Sequence, residues 1–311
     1  MSKKRGNKTD AKKTQKQAVS IDADTATVVA PERITVADPP PYPDYPRYRI
    51  EPGQNILLKD FDPDESEVYE GKRDVQEELE RQRDRIAKLQ ARLYAEQKRS
   101  MLIVLQAIDT GGKDGTIKHV FKGVNPQGCQ VWSFKAPGPE EQSHNFLWRY
   151  DYRTPARGMI TIFNRSHYED VLIVRVKKLM PDEVWRQRYR MINEFEHMLT
   201  LNNTTVVKFF LHISKDEQKR RFQDRLDDPE KHWKFSKNDL KERALWDQYQ
   251  TAFEDAISNC STHYAPWYVV PANKKWYRNL VIARTIADTL AAMNPQYPEP
   301  AEDLDGIEIE D

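Results

Sequence analysis

Asp109, Gly111, Gly112 and Lys113 sit at the joint of LIVLQAIDTGGKDGTIKHVF, where an apolar run gives way to an amphipathic one. Two glycines let successive backbone N–H groups turn toward one anion, and a following helix adds the positive end of its dipole. Lys113 would place a point charge on the same anion. Residues 109–116 therefore read as a phosphate cradle to which Thr110, Gly111, Gly112, Asp114, Gly115 and Thr116 contribute. The cradle is irregular. Ala107 stands where the usual motif has its first glycine, and Asp114 where it has the serine or threonine that ligates magnesium. A carboxylate at Asp109 would repel an anion unless a cation intervenes. This points to Mg²⁺ held partly by Asp109, with Mn²⁺ as an alternative ion, or to Asp109 as a base toward a phosphate oxygen. A local turn cap is the structural alternative.

A second set of residues ends another apolar run, in MITIFNRSHYEDVL. Nucleotide-dependent folds often place an acid there to hold the metal. Here Asn164 occupies the position and Arg165 follows, a cation suited to transferring phosphates in a partly dry site. Asn164, Arg165, His167 and Asp170 are candidate nucleotide-binding residues. Ser166 and Glu169 have the spacing of a helix capping box and are given that structural role. His167 is one of seven scattered histidines, none paired at metal-ligand spacing, and reads as a hydrogen-bonding side chain.

A third segment, SKDEQKRRFQDRLDDPEKHWKFSKNDLKER, puts Arg221 and Arg225 four apart on one helical face. Broken at Asp228-Pro229 and resuming after Ser236, it has the layout of a helical lid over phosphates, at about 215–243. A solvated helical hairpin is the plain alternative. Lys231 and Lys234 are weaker candidates, and Trp233, Trp246, Trp267 and Trp276 read as core or hinge packing.

The elements that must position these residues show in the hydrophobic pattern. Strands are predicted in MLIVLQAI, CQVWSFKA, GMITIFNRS, TTVVKFFLHIS and WYVVPA. Val75, Leu79, Ile86, Leu89 and Leu93 recur at helical spacing ahead of the first strand. Further helices are predicted near 115–124, 140–150, 168–179, 182–201, 237–259 and 275–293. Alternation of this kind predicts an α/β fold of three layers, α/β/α, around a mostly parallel five-stranded sheet. Ligands in such folds lie beyond the carboxyl ends of the strands, where all three sets of residues fall.

The 311 residues allow one large α/β domain or two small ones, and the reading is one domain over 49–298 between two tails. The first 17 residues hold seven Lys or Arg and one acid; the last 13 hold seven acids and no base. Residues 1–48 read as a basic, then proline-rich, extended or disordered tail, and 299–311 as an acidic one. What lies between is nearly neutral, so an anion site must arise from local placement. Two distant cysteines argue against a disulfide framework. The amino terminus has no apolar core of a secretory signal, and no apolar run approaches the roughly 20 residues that span a bilayer. The expectation is a soluble cytoplasmic protein that is no membrane protein.

Taken together, DTGGKDGTIKHV, NRSHYEDVLIVRV and RFQDRLDDPEKHWKFSKNDLKER, followed by YVVPANKKWYRNL, resemble the family 2 polyphosphate kinases. These are P-loop enzymes that move phosphoryl groups between inorganic polyphosphate and nucleotides. The resemblance runs from about 48 to 294 and implies a P-loop kinase-like fold with a mobile lid. It implies that Asp109 and Lys113 act on metal and phosphates, that Arg165 lies near the nucleotide phosphates, and that Arg221 and Arg225 belong to the lid. Asp109, Lys113, Arg165 and Arg221 are the catalytic candidates. Asn164 departs from the branch with aspartate there and resembles the branch accepting both AMP and ADP, with GMP and GDP as further acceptors. A polymeric donor needs a cationic path, for which Lys118 and Lys122 are candidates, with lysines of a solvated helix face as the equal alternative. A dimer or tetramer is also implied. Two rivals stand beside this reading: an ATP-dependent nucleoside monophosphate kinase, and a non-catalytic binder of polyanions or nucleic acid. A carboxylate inside the cradle argues against the second, since a binder gains nothing from it.

Overall fold

The computed structural model describes residues 48–305 together with 307 and 309. Residues 1–47 of the expected basic tail lie outside the described residues, as do the remaining positions of the acidic end.

Six strands form one sheet in the order β1-β6-β5-β2-β4-β3. They are β1 (Arg49–Ile50), β2 (Ser100–Gln106), β3 (Cys129–Ser133), β4 (Ile160–Asn164), β5 (Thr204–His212) and β6 (Trp267–Pro271). All seven residues of β2 and all nine of β5 are buried, because both faces of these central strands are covered. Met101, Ile103 and Leu105 pack into one layer and Leu102 and Val104 into the other, the period-two alternation of a strand. β2 pairs in parallel with β4 and β5, as do β3 with β4 and β5 with β6.

The sheet has one strand more than the sequence predicts. β1 pairs antiparallel with β6, with Arg49 opposite Tyr268. Two residues cannot display an alternation, so β1 is silent in the sequence; it forms because Ile50 is buried and Val269 N–H donates to Tyr48 O at 2.7 Å.

Helices cover both faces. On one lie α1 (Lys72–Glu96), α2 (Lys113–Val120) and α11 (Lys275–Met293); on the other α5 (Glu169–Val176), α6 (Asp182–Trp185), α7 (Gln187–Leu201) and α10 (Trp246–Cys260). α1 buries Val75, Leu79, Ile86 and Leu93, the stripe read from the sequence. The helix expected near 140–150 is instead α3 (Pro139–Ser143) and α4 (Trp148–Asp151). Asn145 is the cause: its Oδ1 accepts from Leu147 N–H at 3.0 Å, a local bond that competes with the helix. α8 (Lys215–Asp227) and α9 (Lys237–Ala244) flank a 3₁₀ turn, Pro229–Lys234. The Asp228 carboxylate caps that turn, as Ser214 and Ser236 cap the two helices.

Candidate active site

β2 leads into α2 on one face of the sheet, and its neighbour β4 leads into α5 on the other. The two connections diverge and leave a crevice between the carboxyl ends of the strands, the place where open α/β sheets hold ligands. A cleft of about 1130 Å³ lies there.

Its floor is the turn from β2 to α2. Gly112 adopts φ 101°, and a Cβ there would collide with the Arg278 guanidinium. A Cβ on Gly111 would run into the Ala107 side chain and lie 2.9 Å from Ile108 O. Neither glycine can be replaced without moving a neighbour. Gly111 N–H donates to Ile108 O at 3.0 Å and closes the bend. Outward-facing carbonyls of the turn are then taken by cations. Lys113 Nζ donates to Ala107 O at 3.0 Å, Arg221 Nη1 to Thr110 O at 2.9 Å and Arg278 Nη1 to Gly111 O at 3.4 Å. Arg221 also reaches Ala272 O and Asn273 O past the end of β6, so it pins α8 to the turn.

Across the crevice Arg165 follows β4 with φ 64°, a conformation uncommon for any residue with a Cβ. Its N–H donates to Leu105 O at 3.1 Å, which continues the β2–β4 ladder. Its Nη2 lies 3.3 Å from Asp109 Oδ1, with both side chains partly open to the cleft. Burial, then the nearby Arg165 charge, pushes the Lys113 ammonium down to about 8. Burial pushes Glu169 up, against the pull of Arg165 and Lys113. Asn164 Nδ2 donates to Asp114 Oδ1 at 2.7 Å. An aspartate at 164 could not make that bond and would set two carboxylates against each other, which accounts physically for the asparagine.

Of the residues singled out in the sequence, Asp109, Thr110, Gly111, Gly112, Lys113, Asp114, Gly115, Lys122, Asn164, Arg165, Arg221 and Arg225 line the cleft. Four do not. Thr116 is buried and its hydroxyl donates to Gly112 O at 3.1 Å, so it braces α2. Lys118 is exposed off the cleft. His167 is fully buried with Nε2 3.0 Å from Glu196 Oε1. Asp170 accepts from Arg188 at 2.9 Å and from the Tyr150 hydroxyl at 3.1 Å. The chain turns at Arg165, and Ser166, His167 and Tyr168 after it are buried in the core, with Asp170 partly buried.

Two structural expectations are corrected. Ser166 and Glu169 do not form a capping box: α5 begins at Glu169 itself, and Ser166 Oγ accepts from Tyr168 N–H at 3.3 Å. The Gln106 amide instead bridges Ser166 and Glu169, at 3.0 Å from the carboxylate. Trp246 and Trp267 are core residues as read, and Trp276 packs against the core at the edge of the cleft, but Trp233 is 78% exposed and lines the cleft.

Sequence reasoning passed over several residues of the site, Arg278 and Lys275 of α11, Arg83 of α1 and Lys135 among them. Twelve lining residues are Lys or Arg and only four are Asp or Glu, so a nearly neutral chain concentrates positive charge here. Arg278 is the most telling. It is 2% exposed, its guanidinium bonds only neutral oxygens, of Asn279 and Gly111, and burial and Arg221 hold it down to about 9. A charged residue in a helix buried on nearly every side was the available signal.

Among the described residues no three His, Cys, Asp or Glu side chains cluster as a metal cage. Mg²⁺ does not require one, because it takes one or two carboxylates and completes its shell with water and substrate phosphates. Asp109 offers a carboxylate at the mouth of the turn, and the adjoining Thr110 hydroxyl is buried with no hydrogen-bond partner. These hard oxygen donors fit that ion. No helix among the described residues is long and apolar enough to cross a membrane.

The family model for polyphosphate kinase 2 matches residues 69–298. The AMP/ADP-polyphosphate phosphotransferase of Meiothermus ruber is 53% identical over 265 residues, 85% of this chain and 99% of that one. The ADP-polyphosphate phosphotransferase of Rhodopseudomonas palustris is 44% identical over 81% of this chain and 92% of its own. The crystal structure of polyphosphate kinase 2 from Arthrobacter aurescens TC1 superposes with a TM-score of 0.79 at 45% identity, covering 83% of this chain and 92% of that one.

Proposed function

The chain belongs to the polyphosphate kinase 2 family, and we propose that its cleft transfers phosphoryl groups between inorganic polyphosphate and nucleotides, raising AMP to ADP and ADP to ATP. The observation that supports this most is the excess of twelve basic over four acidic residues around a glycine turn that also bears a carboxylate. A single nucleotide does not need so long a cationic lining, whereas a phosphate polymer does. Acceptance of both AMP and ADP follows the Meiothermus ruber relative.

In this reading residues 109–116 form a P-loop of Walker A type. Lys113 and the N-terminal N–H groups of α2 bind the donor phosphates, and Arg165 neutralises charge as it spreads on the transferred group, while Arg221, paired with Glu217 and bonded to Thr110 O, holds the turn in place. Asp109 and Thr110 would hold Mg²⁺, which supplies charge neutralisation between donor and acceptor when bound. Catalysis is then positioning and electrostatics, with no covalent protein intermediate. α8, the Pro229–Lys234 turn and α9 act as the lid, carrying Arg225, Lys231, Trp233 and Lys234 over the cleft.

The test is to incubate pure protein with Mg²⁺, AMP and polyphosphate, without ATP. ADP and then ATP should accumulate; their absence, with turnover when ATP is the sole donor, would make the protein a nucleoside monophosphate kinase instead. Repeating the assay with Mn²⁺, and with GMP and GDP, defines the cation and base preference.

A further inference from the structure

Behind the turn that carries Arg165 lies a group of charges that has no part in lining the cleft. Lys208 of β5, Glu196 of α7, and His167 and Tyr168 between β4 and α5 are fully buried. The Lys208 ammonium donates to Tyr168 Oη at 2.9 Å, to Cys260 O at 2.6 Å and to Glu196 Oε2, so each of its three N–H groups has an acceptor. Glu196 Oε1 accepts from the Tyr168 hydroxyl at 2.9 Å and lies 3.0 Å from His167 Nε2. The Tyr168 ring also meets Trp267 edge-on, 4.7 Å between centroids.

As a source of stability this is a poor arrangement. Desolvating two charges offsets most of their attraction, and apolar residues of similar volume serve as well or better. What the pair does supply is position. Its grip falls on the second and third residues after Arg165, and Arg165 is held at φ 64°, which a residue with a Cβ keeps only when its surroundings impose it. On the cleft side the bond to Leu105 O and the contact with Asp109 hold it, within the attraction of the Glu169 and Asp239 carboxylates.

We propose that the buried Glu196–Lys208 pair positions Arg165, fixing His167 and Tyr168 so that the preceding turn aims its guanidinium across the crevice at Asp109 and the phosphates. The proposal rests on the role given to Arg165 above. Glu196, Lys208 and Tyr168 touch neither substrate nor cleft, so they are positioning residues.

The experiment is a mutant cycle read by initial rates with polyphosphate and ADP, together with thermal midpoints. It compares wild type, Tyr168→Phe, Glu196→Met/Lys208→Met and Arg165→Ala, and combines each of the first two variants with Arg165→Ala. Tyr168→Phe removes one hydroxyl that bonds both members of the pair and leaves the pair itself in place. It should lower kcat about tenfold, on the scale of one hydrogen bond to a charged group, while the ADP KM moves less than about twofold. The apolar double variant should stay folded and lose more. In both backgrounds Arg165→Ala should cost much less than it does in wild type, because its guanidinium is already displaced. Wild-type kcat in Tyr168→Phe, or losses that simply multiply, overturns the proposal. Should the double variant fail to fold, the Tyr168→Phe arm decides alone. If Arg165→Ala by itself leaves kcat intact, the reading of the site fails and the proposal with it, an outcome distinct from multiplying losses.

Discussion

Lys113 opens the helix after β2 and Lys208 lies within the neighbouring strand β5, and the two lysines spend their charge differently. Lys208 gives all three N–H groups to Tyr168, Glu196 and Cys260, inside the core. Lys113 makes one hydrogen bond, to a carbonyl, and burial and the like charge of Arg165 outweigh the pull of Asp109, Glu169 and Asp114 on it. The first ammonium is satisfied by the fold. The second is left for a ligand, at a cost in desolvation that an anion would remove. The difference separates charge that builds the scaffold from charge that waits for substrate, and neither sequence nor burial alone makes that distinction.

The comparison can be broken by exchanging the consequences of mutation. Lys113→Ala should reduce turnover about a thousandfold, as removal of an electrostatic stabiliser does, with the thermal midpoint unchanged or raised. Glu196→Ala should lower stability as well as turnover, since the pair both holds the core and supports Arg165. By leaving Lys208 buried and unpaired it should cost on the order of 3 kcal/mol in denaturant unfolding. A destabilised Lys113→Ala and an undisturbed Glu196→Ala would collapse the distinction. Gly112→Ala sharpens it, because a Cβ there meets Arg278 and φ is 101°. It should cost about 1–3 kcal/mol of stability and weaken polyphosphate binding together, since one turn serves both ends.

The smallest effect is in pH. Lys113 sits at about 8 in the folded chain against 10.5 for an ordinary lysine, so it loses its charge as pH rises through about 8. Between those values the unfolded chain binds more protons, and this group's contribution to stability rises with pH. Ligand binding runs the other way: the polyphosphate KM should climb severalfold from about pH 7.5 to about pH 9 in wild type and stay level in Lys113→Arg, which keeps its charge. A level wild-type profile would show that the ammonium does not act on the donor.

Much of the cleft was legible in the sequence, because strand, glycine turn and helix follow one another locally and their chemistry is written in adjacent residues. What was illegible depends on where the chain turns. Glu169 stands three residues after Ser166 and mimics a capping partner, but the left-handed Arg165 shifts the helix start and turns the carboxylate toward Lys113 and Arg165. The same turn sends His167, a neighbour of Arg165 in sequence, into the core, and leaves Asp170 partly buried against Arg188 and Tyr150. Arg278 comes to the glycine turn from 167 residues away, brought there by the packing of α11 against α2, which no local pattern encodes. β1 is too short to have a pattern at all.

The salt dependence of the two substrates' KM values tests the central claim most directly. If the unspent cations of the cleft hold a phosphate polymer, raising ionic strength from about 0.05 to about 0.5 M should raise the polyphosphate KM steeply and the AMP KM far less, since screening acts on every charge pair at once. Equal dependence for both substrates, or a polyphosphate KM indifferent to salt, would contradict the account.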